Sequence, residues 1–222
     1  MNNEEEAHYF KLAADKGLPQ AMYNYGIMLK EGDGIEMNKE EAASYFKIAA
    51  DEGFPQAMYN YACMLNEGDG IEINKEEAAR YFKMAADEGL PKAMYNYGIM
   101  LNEGDGIEKN KEEAAHYFKN GADEGDVLSM NKYACMLNEG DGIEINKEEA
   151  ARYYKMAADN GHIESMFYYA VMLTKGEGCE MNNEEAVHYF KMAADEGVLN
   201  AMYNYAFMLY EGDGIEINKE EA

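Results

Sequence analysis

A 36-residue period runs through this 222-residue chain without an insertion, and it limits the fold more than any other feature. Gly17, Gly53, Gly89, Gly125, Gly161 and Gly197 stand in one column, and Gly32, Gly68, Gly104, Gly140, Gly176 and Gly212 in a second. The residues two further on, from Gly34 to Gly214, form a third. A unit this short cannot hide its apolar face alone, so neighbours must stack on one another, which predicts an α-solenoid. Residues 1–222 read as one repeat array of about six units.

Punctuation divides each unit into two helices. Residues 55–90 begin with Pro55, which suits a first helical turn, and Gly68 suits the left-handed residue that ends a helix. After the loop, Asn74 and Glu77 have the spacing of a capping box with Asn in place of Ser or Thr. The pattern predicts first helices near 19–31, 55–67, 91–103, 127–139, 163–175 and 199–211, and second helices near 3–16, 39–52, 75–88, 111–124, 147–160 and 183–196. Ala78, Tyr81, Phe82, Ala85 and Ala86 make a core-facing stripe on a second helix, and Ala57, Met58, Tyr61, Ala62, Met64 and Leu65 make one on a first. Gly26, Ala62, Gly98, Ala134, Ala170 and Ala206 share a small-residue column expected at a helix crossing. The chain opens inside a second helix and ends at Lys219-Glu220-Glu221-Ala222, where another is expected to begin, so the array reads as cut at both ends.

Charge narrows the partner. Nineteen Lys and Arg oppose 44 Asp and Glu, a net of -25, while 47% hydrophobic residues suffice for a packed fold. Each unit contributes about -4, as residues 55–90 show with seven acids and three bases. Nucleic acid and anionic membrane surfaces need clustered cations, so a basic or zwitterionic protein or peptide is the expected partner. No apolar run reaches the roughly 20 residues that cross a bilayer, and the acidic start Met1-Asn2-Asn3-Glu4-Glu5-Glu6 is unlike a signal peptide, so a cytoplasmic location is expected. Cys63, Cys135 and Cys179 form no close pair and read as small hydrophobes.

Ala57, Tyr61-Ala62, Leu65, Gly68-x-Gly70-Ile71, Asn74, Ala78, Tyr81-Phe82, Ala85-Ala86 and Gly89, recurring along the whole chain, resemble the Sel-one-like repeat, a relative of the tetratricopeptide repeat. Tyr61 stands where that family usually has Leu, and Leu65 where it often has Tyr, which suggests repacking within one fold. The resemblance implies an all-α, right-handed α–α superhelix that acts as a scaffold or adaptor, with the first helices lining its concave side.

A helical wheel leaves Tyr59, Cys63 and Asn66 opposite the first-helix core. The ring column continues as Tyr23, Tyr95, Asn131, Phe167 and Tyr203, and the amide column includes Asn102 and Asn138. Tyr gives area at low entropic cost and Asn pairs with backbone amides, so a partner-binding groove is one reading. Packing of these rings against the next first helix is the other. Leu12, Ile48, Met84, Met156 and Met192, on the second helices, are expected to be buried against the following repeat. Asp15, Asp51, Asp87, Asp123, Asp159 and Asp195, in last helical turns, are expected to accept hydrogen bonds from the start of the following helix.

Catalytic, metal and cofactor motifs fail on inspection. Ser44-Tyr45-Phe46-Lys47 and Ser129-Met130-Asn131-Lys132 match the S-x-x-K of β-lactamases, but the companion motifs are absent and Lys47 belongs to a column of six lysines. The loops at Asp33-Gly34 lack calcium-ligand alternation, and Gly68-x-Gly70 lacks a third glycine and a strand. His8, His116 and His188 are at least 72 residues apart on a polar face, so no metal or cofactor is expected. The fourth unit departs most from its neighbours, with Asn120-Gly121 in place of Met-Ala and Asn131-Lys132 in place of Tyr-Asn. The chain is read as a non-catalytic interaction scaffold of open oligomeric state; an accessory region of a larger catalytic or membrane-anchored protein is the alternative, and a weak β-lactamase-type hydrolase the distant one.

Overall fold

The structure, a computed structural model, describes residues 3–214. Twelve helices occur among them: α1 (Asn3–Ala14), α2 (Pro19–Glu31), α3 (Lys39–Asp51), α4 (Pro55–Glu67), α5 (Lys75–Asp87), α6 (Pro91–Glu103), α7 (Lys111–Asp123), α8 (Val127–Glu139), α9 (Lys147–Asp159), α10 (Ile163–Lys175), α11 (Asn183–Asp195) and α12 (Leu199–Glu211). One compact unit extends to Tyr117 and a second begins at Phe118. In the first, α1 to α6 pack each against the next; in the second, α8 to α12 do the same. The helix expected to begin at Lys219 lies outside the described residues.

Local chemistry sets these boundaries. Gly68 is left-handed, at φ 73°, and ends α4 while it and Asp69 both donate to the carbonyl of Met64. Asn74 then caps α5, its side chain accepting from the Glu77 N–H at 3.1 Å and donating to the Glu77 carboxylate at 3.2 Å. The second helices α3, α5, α7, α9 and α11 stop one residue short of the expected ends, and α1 two short. At α3 the reason is a Schellman turn, in which Phe54 N–H bonds Ala49 O and Gly53 N–H bonds Ala50 O, so that Glu52 is already outside the helix.

Within a repeat, the first and second helices lock through a pair of tyrosines set edge to face. Tyr61 and Tyr81 have centroids 4.9 Å apart at 87°, and Tyr25–Tyr45, Tyr97–Tyr117, Tyr133–Tyr153 and Tyr169–Tyr189 repeat the arrangement. Such a pair contributes about 0.5–1.5 kcal/mol beyond its buried area. It accounts for tyrosine at position 61: the ring needs a partner ring, and position 81 supplies one. Alanines of both helices are buried, Ala62, Ala134 and Ala170 of the small-residue column fully so, and at Gly26 a Cβ would stand 2.8 Å from the Phe46 ring.

Between repeats, a polar clasp takes over. Tyr81 donates to Asp51 at 2.5 Å, and Lys47 reaches both Asp51, at 2.7 Å, and the Tyr81 hydroxyl, at 3.4 Å. Tyr117 with Asp87 and Lys83 repeats this, as do Tyr153 with Asp123 and Tyr189 with Asp159. This corrects the expectation for the aspartate column. The donor is a phenol 30 residues on, not the following helix start, because the last turn of each second helix faces the next second helix. A second clasp joins loops: Lys39 pairs with Asp69 at 2.6 Å and Lys75 with Asp105 at 2.7 Å, while a Cβ on Gly70 would lie 2.4 Å from that of Lys39. Leu12 and Ile48 are exposed, against the expectation of burial, and Met84, Met156 and Met192 are half-buried, since these clasps hold adjacent second helices by their ends more than by that stripe.

Candidate functional site

The first-helix stripe is built on the tyrosine-locked core, whose inward positions leave the ring column at the edge of each helix. Tyr23, Tyr59, Tyr95 and Phe167 are half-buried, as are Asn66, Asn102 and Asn138; Tyr203 is exposed. Tyr59 lies against Phe82 of its own repeat, with centroids 5.7 Å apart, and its oxygen accepts from Asn96 of the next first helix at 3.3 Å. Burial pushes its phenol up to about 12. Tyr23 meets Phe46 and Phe54, and Phe167 meets Phe190, in the same manner. One face of each of these rings is thus committed to the fold.

The amides differ among themselves. Asn138 accepts from Lys147 at 2.8 Å, whereas the Asn102 side-chain oxygen is closed off from water without a partner. Asn131 departs from the expectation for the column, being only 4% exposed. Its Nδ2 donates to Ser165 Oγ at 2.9 Å, and that hydroxyl meets His162 Nδ1 at 3.0 Å. With a short polar chain where other repeats carry a ring, this position sinks between α8 and α10 and offers no surface.

That buried network escaped the sequence reading, although a signal existed. In the repeats starting at residues 127 and 163 the N1 proline is missing, the Ala57 column becomes Ser129 and Ser165, and Asp126 and His162 cap α8 and α10 by accepting from the N–H groups of those serines. A polar cap and a serine three residues on replace the proline together.

The S-x-x-K geometry is unsuited to nucleophilic attack. Ser44 Oγ donates to the Glu40 carbonyl at 3.1 Å, and Lys47 is held protonated, its pKa raised first by the bond it donates to Asp51 and further by the one to Tyr81. Ser129 is fully buried, and Lys132 is exposed. Burial likewise raises the Cys63 and Cys135 thiols, and all three cysteines are free. Among the described residues, no group of three or more His, Cys, Asp or Glu is placed to hold a metal, and no helix is long and apolar enough to cross a membrane.

The family model described as the Sel1 repeat matches residues 7–18, 19–54, 55–90, 91–126, 127–162, 163–198 and 199–222. Among solved structures, a protective antigen of uropathogenic Escherichia coli displaying an SLR fold is 28% identical over 95% of this chain, with a TM-score of 0.90; this chain spans 45% of it. A Sel1 repeat protein from Oxalobacter formigenes is 26% identical, covered over 100% of this chain and 94% of its own, with a TM-score of 0.78. A putative Sel1 repeat protein from Klebsiella pneumoniae, at 15% identity over 90% of this chain and 97% of its own and a TM-score of 0.52, shares the fold. No curated protein matches the sequence. The α-solenoid of helix pairs is therefore common to this chain and its neighbours, and proteins built of these repeats generally serve as non-catalytic interaction scaffolds. With its repeats matched from residue 7 to residue 222, the chain belongs to the Sel1 repeat family.

Proposed function

We propose that the chain is a scaffold or adaptor that receives a protein or peptide along the first-helix stripe of Tyr23, Tyr59, Tyr95, Phe167 and Tyr203, with Asn66, Asn102 and Asn138 beside it. The observation that carries this reading is the half-burial of Tyr23, Tyr59, Tyr95, Phe167 and the three amides next to positions that are fully buried, with Tyr203 exposed. A ring fixed on one face by its own core is a pre-ordered anchor, which lowers the entropic cost of binding. The net charge of -25 favours a basic partner over nucleic acid or an anionic membrane. Free thiols that burial keeps protonated suit a reducing cytoplasm.

The test is recovery of a partner by affinity purification with mass spectrometry, repeated with Tyr59→Ala, Tyr95→Ala and Tyr203→Ala combined. Loss of that partner with helicity intact is the expected outcome; undiminished recovery would remove the groove. A second reading, an accessory region of a larger catalytic or membrane-anchored protein, draws on the Escherichia coli antigen, of which this chain spans 45%.

A further inference from the structure

Large apolar side chains in the interior repeats are mostly hidden, yet one column is held out to solvent. Met37 is 59% exposed, Ile73 57%, Ile145 57% and Met181 63%. They share one place in the loop before each second helix, where Cγ1 and Cδ1 of Ile73 lie against the helix-ending Gly68 while more than half of the residue stays exposed. In the first unit the two loops are adjacent, since Lys39 bonds Asp69 and the backbone of Lys39 abuts Gly70, so Met37 and Ile73 lie along one edge. Ile145 and Met181 form the equivalent pair in the second unit, where Lys147 bonds Glu177.

Folding does not require an apolar residue here. The intervening repeat carries Lys109 in the same column, packed on Gly104 as Ile73 is on Gly68, and its loop keeps the same cavity, of about 380 Å³ against 410 Å³ beside Met37. Exposed apolar area that the fold can do without points to a docking surface. Its charge says what docks. Glu36, Glu72, Glu144 and Glu180 directly precede the four apolar residues, and they make no ion pair or hydrogen bond among the described residues. The cavity beside Met37 is lined by Tyr25, Leu29, Glu36 and Glu41, and that beside Met181, about 460 Å³, by Tyr169, Leu173, Glu180 and Glu185, and polar atoms make up most of the lining. Carboxylates in a polar hollow match the cationic head of arginine or lysine, and the exposed methionine or isoleucine beside it offers apolar area to that residue's stem and to an apolar neighbour.

We infer that the loop edge of each unit, Met37 with Ile73 and Ile145 with Met181, docks a basic segment of a protein partner in which arginine or lysine alternates with large apolar side chains. The surface is separate from the first-helix stripe and does not depend on it.

The test uses a fluorescein-labelled synthetic peptide alternating arginine and leucine, with an arginine–serine peptide as control, read by fluorescence anisotropy at physiological salt. The first peptide should bind, and the control should bind at least about tenfold more weakly, because apolar contact and not charge alone supplies the affinity. Combining Met37→Ser, Ile73→Ser, Ile145→Ser and Met181→Ser should weaken the arginine–leucine peptide by a similar factor with helicity unchanged. If the serine set loses helicity, the same positions changed to lysine, which Lys109 shows the loop accepts, take its place. Equal binding by the two peptides, or by wild type and variant, overturns the inference, as does a failure of the arginine–leucine peptide to bind. Loss caused by Tyr59→Ala with Tyr95→Ala instead would place the peptide in the groove, ending this inference while leaving the proposed function standing.

Discussion

Tyr81 donates its phenolic hydrogen to Asp51 Oδ1 across 2.5 Å, from one repeat to the one before it, and Lys47 bonds both partners. The contact joins residues 30 apart, and its recurrence makes it the polar fastening between second helices.

Removing this donor should loosen the fastening. Tyr81→Phe keeps the ring against Tyr61 and leaves Asp51 with Lys47 alone, so a loss of about 1 kcal/mol is expected. A urea-unfolding double-mutant cycle with Asp51→Asn should show coupling; strict additivity would mean that the bond contributes nothing.

Two glycines of similar backbone should respond differently to alanine. Gly53→Ala meets open space and pays only for φ +89°, about 1 kcal/mol. Gly70→Ala, at φ +80°, also collides with Lys39, which adds about 1–3 kcal/mol. Equal midpoints in thermal unfolding would contradict the close approach of the two loops.

Acid should open the fastenings. At Asp51, Asp87 and Asp123 desolvation alone would raise the carboxyl, but the bonds from lysine and tyrosine outweigh it and the pKa falls below its ordinary value. A group depressed in the fold stabilises fully above its unfolded pKa, about 3.9, and that contribution is lost as pH drops through the folded value. Protonation also relieves the self-repulsion of a chain at -25, so the comparison is with Asp51→Asn, Asp87→Asn and Asp123→Asn combined. Wild type should lose more stability than that variant between pH 5 and 3.

The cap at His162 should titrate separately. Its Nδ1 accepts from the Ser165 N–H at 3.2 Å, so a proton on that nitrogen would face a donor. Burial lowers the imidazole pKa; Glu164 opposes this, and Lys132 on α8 adds to it. The stabilisation is therefore complete above the unfolded value, about 6.5, and lost as pH falls through the lower folded one. His162→Asn, a cap that does not titrate, should flatten the change in unfolding midpoint between pH 7.5 and 5.

Salt should stabilise. The excess of acids is spread along the repeats, and at about 0.15 M ionic strength the Debye length is about 8 Å, so added sodium chloride screens repulsion between distant carboxylates more than it weakens the short clasps. The melting temperature at pH 7 should rise with salt; a fall would mean that the ion pairs dominate.

The glycine stops and asparagine caps were legible in the sequence, because they act on residues within a turn of themselves; the caps at Asp126 and His162 and the last residue of each second helix were not. Gly68 ends α4 and Asn74 caps α5 for reasons that residues 64–77 contain. The core faces were legible too, since a period of 3.6 fixes which residues share a side. Partners across the repeat boundary were not. Asp51 was expected to bond the start of the following helix until packing set Tyr81 beside it, and Asn131 looked like a groove residue until Ser165 drew it inward. Sequence spacing tells which way a side chain points along its own helix. Only the distance and angle between stacked helices decide what it meets there, and those follow from the packing of every ring and alanine between them.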